Sequence, residues 1–151
     1  LAVVRLIDTE RFVANVANLM PPEDKLHQFE KVYAVGAGLG FPPFSTDGTV
    51  GFNYGLWKGH RYVLTTAPII FGNSGGSLYV YSGIRGNYEL IGVPSMVSAV
   101  GWGTPISHMG WSRPIDEIRA FVRENGFGWV VGDAPQEEEE EEEEGTADGS
   151  E

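Results

Sequence analysis

The chain has 151 residues, 42% of them apolar, no cysteine and a formal net charge of -11. That is enough apolar chain for one domain with its own core, while the missing thiols exclude disulfides and thiolate metal sites and no apolar run reaches the roughly 18 to 20 residues needed to cross a bilayer. The charge sits at one end, because residues 133–151 hold eleven acidic residues and no basic one, leaving ten of each sign in residues 1–132 and no basic patch for nucleic acid.

Taken in chain order, residues 1–6 (LAVVRL) form a short apolar run with β-branched members and read as a buried strand. No basic segment or apolar h-region opens the chain at Leu1, so no signal peptide is expected there. Residues 7–30 are polar, contain Pro21-Pro22 and show no periodicity, which predicts a long connection. KVYAVGAGLG, residues 31–40, predicts a strand ending in a glycine-rich turn. GTVGFNYG and HRYVLTTAPI predict two further strands separated by Trp57, Lys58 and Gly59. GSLYVYS and YELIGVPSMV predict a hairpin about residues 83–87, and Pro94 belongs at an edge or non-pairing position.

The one convincing helix comes last. In SRPIDEIRAFVRENG, Pro114 is expected in the first turn, Asp116 and Glu117 suit the positive N-terminal end, Ile115, Ile118 and Val122 make one stripe, and Asn125-Gly126 supplies the stop. Strands at short intervals with a single terminal helix favour an antiparallel barrel or sandwich over βαβ repeats. The octaglutamate of residues 137–144 repels itself and buries nothing, so residues 133–151 are expected as a disordered acidic tail, either a solvating tail or a ligand for basic partners.

Chemistry concentrates in FGNSGGSLYV, residues 71–80. Residues 72–76 satisfy G-x-S-x-G, but the nucleophile elbow of that pattern needs a helix after the serine. Here SLYVYS alternates with period two and predicts a strand. A serine that attacks a carbonyl needs a base beside its hydroxyl and fixed N–H donors for the oxyanion. Flanking glycines permit the positive φ values that turn successive N–H groups to one side. Ser74 is therefore the candidate nucleophile, with the N–H groups of Gly72 and Ser74 as the candidate oxyanion hole. His27 and His60 read as surface or packing histidines, and Trp57, Trp102 and Trp111 as core or loop packing.

GNSGGSL resembles the nucleophile motif of the trypsin-like (chymotrypsin-fold) serine proteases, in the form common among bacterial HtrA/Deg-type and phage or viral relatives. EKVYAVGAGLG, STDGTVGF, YELIGVPSMV and MGWSRPIDEIRAFV resemble, in the family's order, the opening strand and turn of the second barrel, the next strand, the cleft-lining strand and the closing strand with its helix. Together they cover residues 31–122. The resemblance implies an all-β fold, an antiparallel Greek-key barrel (the second barrel of the chymotrypsin fold) spanning residues 31–132 with its C-terminal helix. It implies a serine endopeptidase acting on protein or peptide substrates through an acyl-enzyme on Ser74, with no metal or organic cofactor and no membrane or nucleic-acid partner.

LAVVRL resembles the segment directly after the family's catalytic aspartate. On that likeness residues 1–6 are the last strand of a missing N-terminal barrel, residues 7–30 link the barrels, and the catalytic aspartate and histidine precede Leu1; this chain alone is then expected to be nearly inactive and poorly stable. Pro68 stands at the family's pocket base, where a carboxylate selects Lys or Arg. Ser95, Met96 and Val97 stand at the wall strand that pairs with substrate, and His108 lies just before the strand bordering the pocket. A shallow apolar pocket for small or medium aliphatic residues follows. The alternative is a catalytically incompetent peptide-binding or assembly module derived from a protease, and a β-rich viral structural domain is a third.

Overall fold

A computed structural model of the chain describes residues 1–4 and 16–133. Seven strands form one sheet: β1 (Asn18–Leu19), β2 (Lys31–Gly36), β3 (Phe44–Trp57), β4 (His60–Thr65), β5 (Ser77–Ser82), β6 (Asn87–Val100) and β7 (Thr104–Pro114). Their order is β1-β6-β5-β2-β3-β4-β7, and β6 also pairs with β7, so the sheet closes into a ring. Helix α1 (Ile115–Glu124) follows β7 without a loop. The protein is thus mostly β with one helix, in agreement with the class expected from the sequence.

Alternation builds the core. Along β2 every second residue turns inward, placing Val32 and Ala34 beside Leu78 and Val80 of β5, which are read out of SLYVYS by the same period. Val32, Val50, Leu78 and Ile91 are at most 1% exposed and anchor one continuous cluster with Val63, Ile69 and Ile115. In α1, Ile115 and Val122 are buried and Ile118 packs against the same cluster. Asn125 caps the helix and Gly126 follows at φ +78.

Several elements depart from the sequence reading. β3 and β6 are 14 residues each, longer than predicted, because each bends through register shifts and serves more than one partner along its length, two for β3 and three for β6. β4 ends at Thr65 rather than running to Ile69: the Thr65 hydroxyl accepts the Ala67 N–H at 2.8 Å and turns the chain before Pro68. Pro114 is the N-cap of α1, one place before the first turn, with extended backbone at ψ 160. Pro94 pairs with Ser112 inside β6, next to a register shift, where its missing N–H is accommodated.

The connection is not featureless either. β1 runs parallel to β6 from Asn18 to Leu19, and Asp24 reaches Arg85, which also grips buried Glu89 at 2.9 Å. Residues 1–4 have no strand partner and are exposed, and the rest of the expected first strand lies outside the described residues, as does the acidic tail from residue 134. Asp133 itself forks onto Arg123 at 2.7 and 2.9 Å, and that guanidinium holds its carboxyl below the usual range. Trp102 is fully exposed at the β6–β7 turn, contrary to the packing expected of it. Among the described residues no helix is long and apolar enough to cross a membrane.

Leu78 is central to the ring. Leu78→Ala should cost about 2–5 kcal/mol of unfolding free energy in urea titration; a loss under about 0.5 kcal/mol would place the core elsewhere.

Candidate active site

Between β4 and β5 the chain makes one irregular excursion, residues 66–76, and the surrounding strands hold it along its length. Thr66 N–H donates to the Thr49 carbonyl at 2.9 Å, and the Thr46 hydroxyl donates to the Pro68 carbonyl at 2.8 Å, tying its start to β3. Ile69 N–H donates to Ser107 O of β7 at 2.7 Å. The turn after β2 takes the Phe71 carbonyl through Leu39 N–H at 2.7 Å, and Gly75 N–H donates to Pro94 O of β6 at 3.0 Å.

Glycine is required where these backbones meet. A Cβ at Gly48 would lie 2.2 Å from Ala67 N, and one at Gly76 2.3 Å from Val35 O. Gly72 and Gly75 stand at φ +97 and +82, in the region that side chains disfavour. The stretch therefore lies flat against strand ends, and Ser74 projects from it exposed.

Asn73 pins the loop from within. It is only 2% exposed, its Oδ1 accepts Ile70 N–H at 3.1 Å, and its own N–H donates to Ile70 O at 3.1 Å. Gly36 makes space for it, since a Cβ there would sit 2.7 Å from Asn73 Nδ2. The sequence reading passed over Asn73, although asparagine in a glycine-rich stretch is a known turn former that bonds nearby backbone.

Asn73 and Gly75 spend their N–H groups on the Ile70 and Pro94 carbonyls, whereas those of Phe71, Gly72 and Ser74 donate to no acceptor among the described residues. The Ser74 hydroxyl donates to the Ser95 carbonyl at 3.5 Å. No imidazole or carboxylate of the described residues bonds to it: His27 joins Glu30 through its backbone, His60 Nδ1 is 3.9 Å from Glu117, and His108 is exposed on β7. A hydroxyl in this state is a weak nucleophile.

The residues expected to meet substrate separate into two groups. Ser95 touches Ser74, and the next two residues, Met96 and Val97, line a mostly apolar cavity of about 400 Å³ with Leu56, Trp57, Tyr62 and Trp111. Trp111 is fixed there by an Nε1–H bond to Ser98 Oγ at 2.9 Å, and Gly55 leaves room for its ring. Pro68 and His108 are exposed and line no part of that cavity. Ile69, which the sequence reading did not single out, is 2% exposed and lies against Gly110, where a Cβ would come within 2.6 Å of its Cδ1. Gly110 is also the β7 partner of Val97, so Ile69 fills the space beside the wall strand.

No family model and no curated protein matches the chain by sequence. Solved structures do resemble it. The HtrA-type protease AlgW with a tripeptide superposes with a TM-score of 0.59 at 22% identity, covering 74% of this chain and 36% of that one. AlgW with a decapeptide gives 0.59 at 20% identity, covering 74% and 34%. The chain thus spans about a third of the length of these structures and shares their fold over that part.

Asn73→Ala strands a part-buried Ile70 N–H. It should lower stability by about 1–3 kcal/mol and speed hydrogen exchange across residues 70–76, and unchanged exchange there would show that the asparagine does not hold the loop.

Proposed function

We propose that this chain is the Ser74-bearing part of a trypsin-like serine endopeptidase, a Greek-key second barrel whose histidine and aspartate come from polypeptide outside these 151 residues. The observation that carries the reading is that the N–H groups of Gly72 and of the exposed Ser74 itself are unengaged among the described residues, while Asn73 and Gly75, which alternate with them, have their N–H groups bonded. In acyl transfer the Ser74 Oγ attacks the scissile carbonyl and gives its proton to the histidine, which the aspartate holds in the right tautomer. The carbonyl oxygen becomes an oxyanion, and the two N–H groups stabilise it. Collapse of the tetrahedral intermediate expels the leaving amine, which takes the proton back from the histidine, and water then hydrolyses the acyl-enzyme.

Substrate would lie along β6 at Ser95, Met96 and Val97, adding a strand to that edge. Ile69 against Gly110 narrows the space behind Val97, and Pro68 brings no charge to it, which favours a small or medium aliphatic residue before the scissile bond. The apolar cavity beyond Ser95 suits a further substrate side chain, since extended chain advances about 3.3 Å per residue. His108, exposed on β7 just after the Ser107 carbonyl that holds Ile69 N–H, is the remaining candidate to meet a substrate side chain.

A second reading also has an observation behind it. Among the described residues the fold and its cleft are present without a base on Ser74, which is what a peptide-binding or assembly module descended from a protease would show. A fluorophosphonate probe separates the two. A longer protein that supplies the preceding polypeptide should be labelled and should cleave after small aliphatic residues, with labelling abolished in Ser74→Ala. The 151-residue chain alone should react slower by a factor on the order of 10⁶, the scale on which removing a triad base acts. Absent labelling of the longer protein, or labelling that survives Ser74→Ala, overturns the nucleophile assignment, and cleavage chiefly after Arg or Lys overturns the pocket.

A further inference from the structure

We propose that the β6–β7 hairpin is a self-association surface: two copies of the chain pair antiparallel along the open edge of β6, about Ala99, and each lays its Trp102 in the apolar cavity of the other. The pairing stands apart from the reading of Ser74 as a nucleophile. Only its consequence rests on that reading, since the partner then covers the Met96–Val97 edge along which substrate would lie.

The edge comes first. β6 pairs with β5 only as far as Gly92, while its pairing with β7 runs on to Val100 and Thr104. Beyond Ser95, which Ser74 reaches, no backbone bond from another segment meets β6 among the described residues. The register shift between Val97 and Ala99 puts its extra residues on β7 and leaves β6 extended. Residues 96–100, Met-Val-Ser-Ala-Val, therefore present unused N–H and C=O groups on the side away from β7. Exposed edges are ordinarily guarded by charge or proline, and these five residues carry neither; from Leu90 to Ser112 the chain holds no Asp, Glu, Lys or Arg. The β7 edge of the same hairpin is guarded, by Pro105 and by the bond from Ile69 N–H to the Ser107 carbonyl. The excess negative charge of the chain belongs to residues 133–151 and not to the hairpin.

An anchor and a socket lie along that edge. Trp102 is fully exposed at the hairpin tip, between Gly101 and Gly103 at φ +54 and +95. Met96 and Val97 line the cavity of about 400 Å³ with Leu56, Trp57 and Trp111, a volume in the range that takes a small-molecule ligand and ample for an indole. Trp102 stands about 20 Å of extended chain from Met96 and does not line the cavity of its own chain. A two-fold axis at Ala99 removes that separation. It sets Ser98 opposite the partner's Val100, Val97 opposite the partner's Gly101 and Met96 opposite the partner's Trp102, and opposite residues of an antiparallel pair share one face. That face is the cavity's, because Met96 pairs with Trp111, whose indole donates to Ser98 Oγ. The same relation holds in reverse, so the contact closes at two copies. Two tryptophans at about 150–250 Å² each, with the walls they cover, bury on the order of 600–1,000 Å². The paired edge adds to this, which brings the contact to the lower limit for a specific interface and predicts a reversible dimer, not an obligate one.

Sedimentation velocity on the 151-residue chain, from low micromolar to submillimolar concentration, should show a monomer passing reversibly to a dimer and no larger species. Trp102→Ala should move that transition to a concentration higher by about tenfold or more, the scale on which removing a buried tryptophan anchor acts. Its circular dichroism should match the wild type, because the side chain is fully exposed in the single chain. The chain has no cysteine, so single substitutions read the register. Ala99→Cys faces itself across the axis and should oxidise to a disulfide-linked dimer, whereas Ile84→Cys, exposed on the β5–β6 turn, should not. A wild-type chain that stays monomeric throughout overturns the proposal, as does association that Trp102→Ala leaves unchanged, growth beyond the dimer, or equal cross-linking through Ile84→Cys. None of these measurements involves the reaction, so a failure of the nucleophile assignment would show in the fluorophosphonate labelling and leave the dimer in place.

Discussion

The constraint on which the rest depends is the accounting of backbone hydrogen bonds in residues 66–76. An irregular stretch laid against a sheet must give its buried N–H and C=O groups partners or lose free energy for each one left over. Here the partners come from four strands or their turns: Thr49 of β3, Ser107 of β7, Pro94 of β6, and Leu39 beyond β2. Every one of those bonds fixes a peptide plane. Once they are made, the N–H groups of Phe71, Gly72 and Ser74 remain without an acceptor among the described residues. On the proposed reading the closed ring of strands matters to function because it brings four separate elements within reach of one loop.

Such a loop has little freedom to move as substrate arrives. Donors that are already oriented need no reorganisation when charge develops on the carbonyl oxygen, and that is where electrostatic catalysis gains most. Asn73 and the close glycine contacts at Gly36, Gly72 and Gly76 make the same point from the packing side: the loop sits at the shortest backbone approach the strands allow. What the described residues do not place beside Ser74 is a base, so on the proposed reading the site is prepared for the oxyanion more completely than for the proton.

Much of this was legible in the sequence. Period-two alternation placed β2 and β5, the Gly-Asn-Ser-Gly-Gly run marked a turn that only glycines could make, and α1 carried its own start and stop signals. What was not legible depends on contacts between residues far apart in the chain. The two-residue parallel strand β1 is too short to carry any period and exists because β6 offers it an edge. β3 and β6 outran their predicted lengths through bulges that hydrophobic alternation does not report. Neither the burial of Ile69 against Gly110 nor the bond from Leu39 to Phe71 leaves a local signature, since each joins segments more than thirty residues apart in sequence. Trp102, expected to pack, is exposed in the turn that closes the β6–β7 hairpin between Val100 and Thr104.

The central claim is that the free amides of Gly72 and Ser74 are the oxyanion donors of an acyl-transfer serine. A crystal structure of the longer protein phosphonylated on Ser74 tests it most directly, since the phosphonyl oxygen occupies the oxyanion position. The account predicts that oxygen at about 2.7–3.1 Å from both the Gly72 and Ser74 nitrogens, with the Phe71 carbonyl still on Leu39. A phosphonyl oxygen that meets neither amide, or a Gly72 N–H turned inward onto a protein carbonyl, would contradict it.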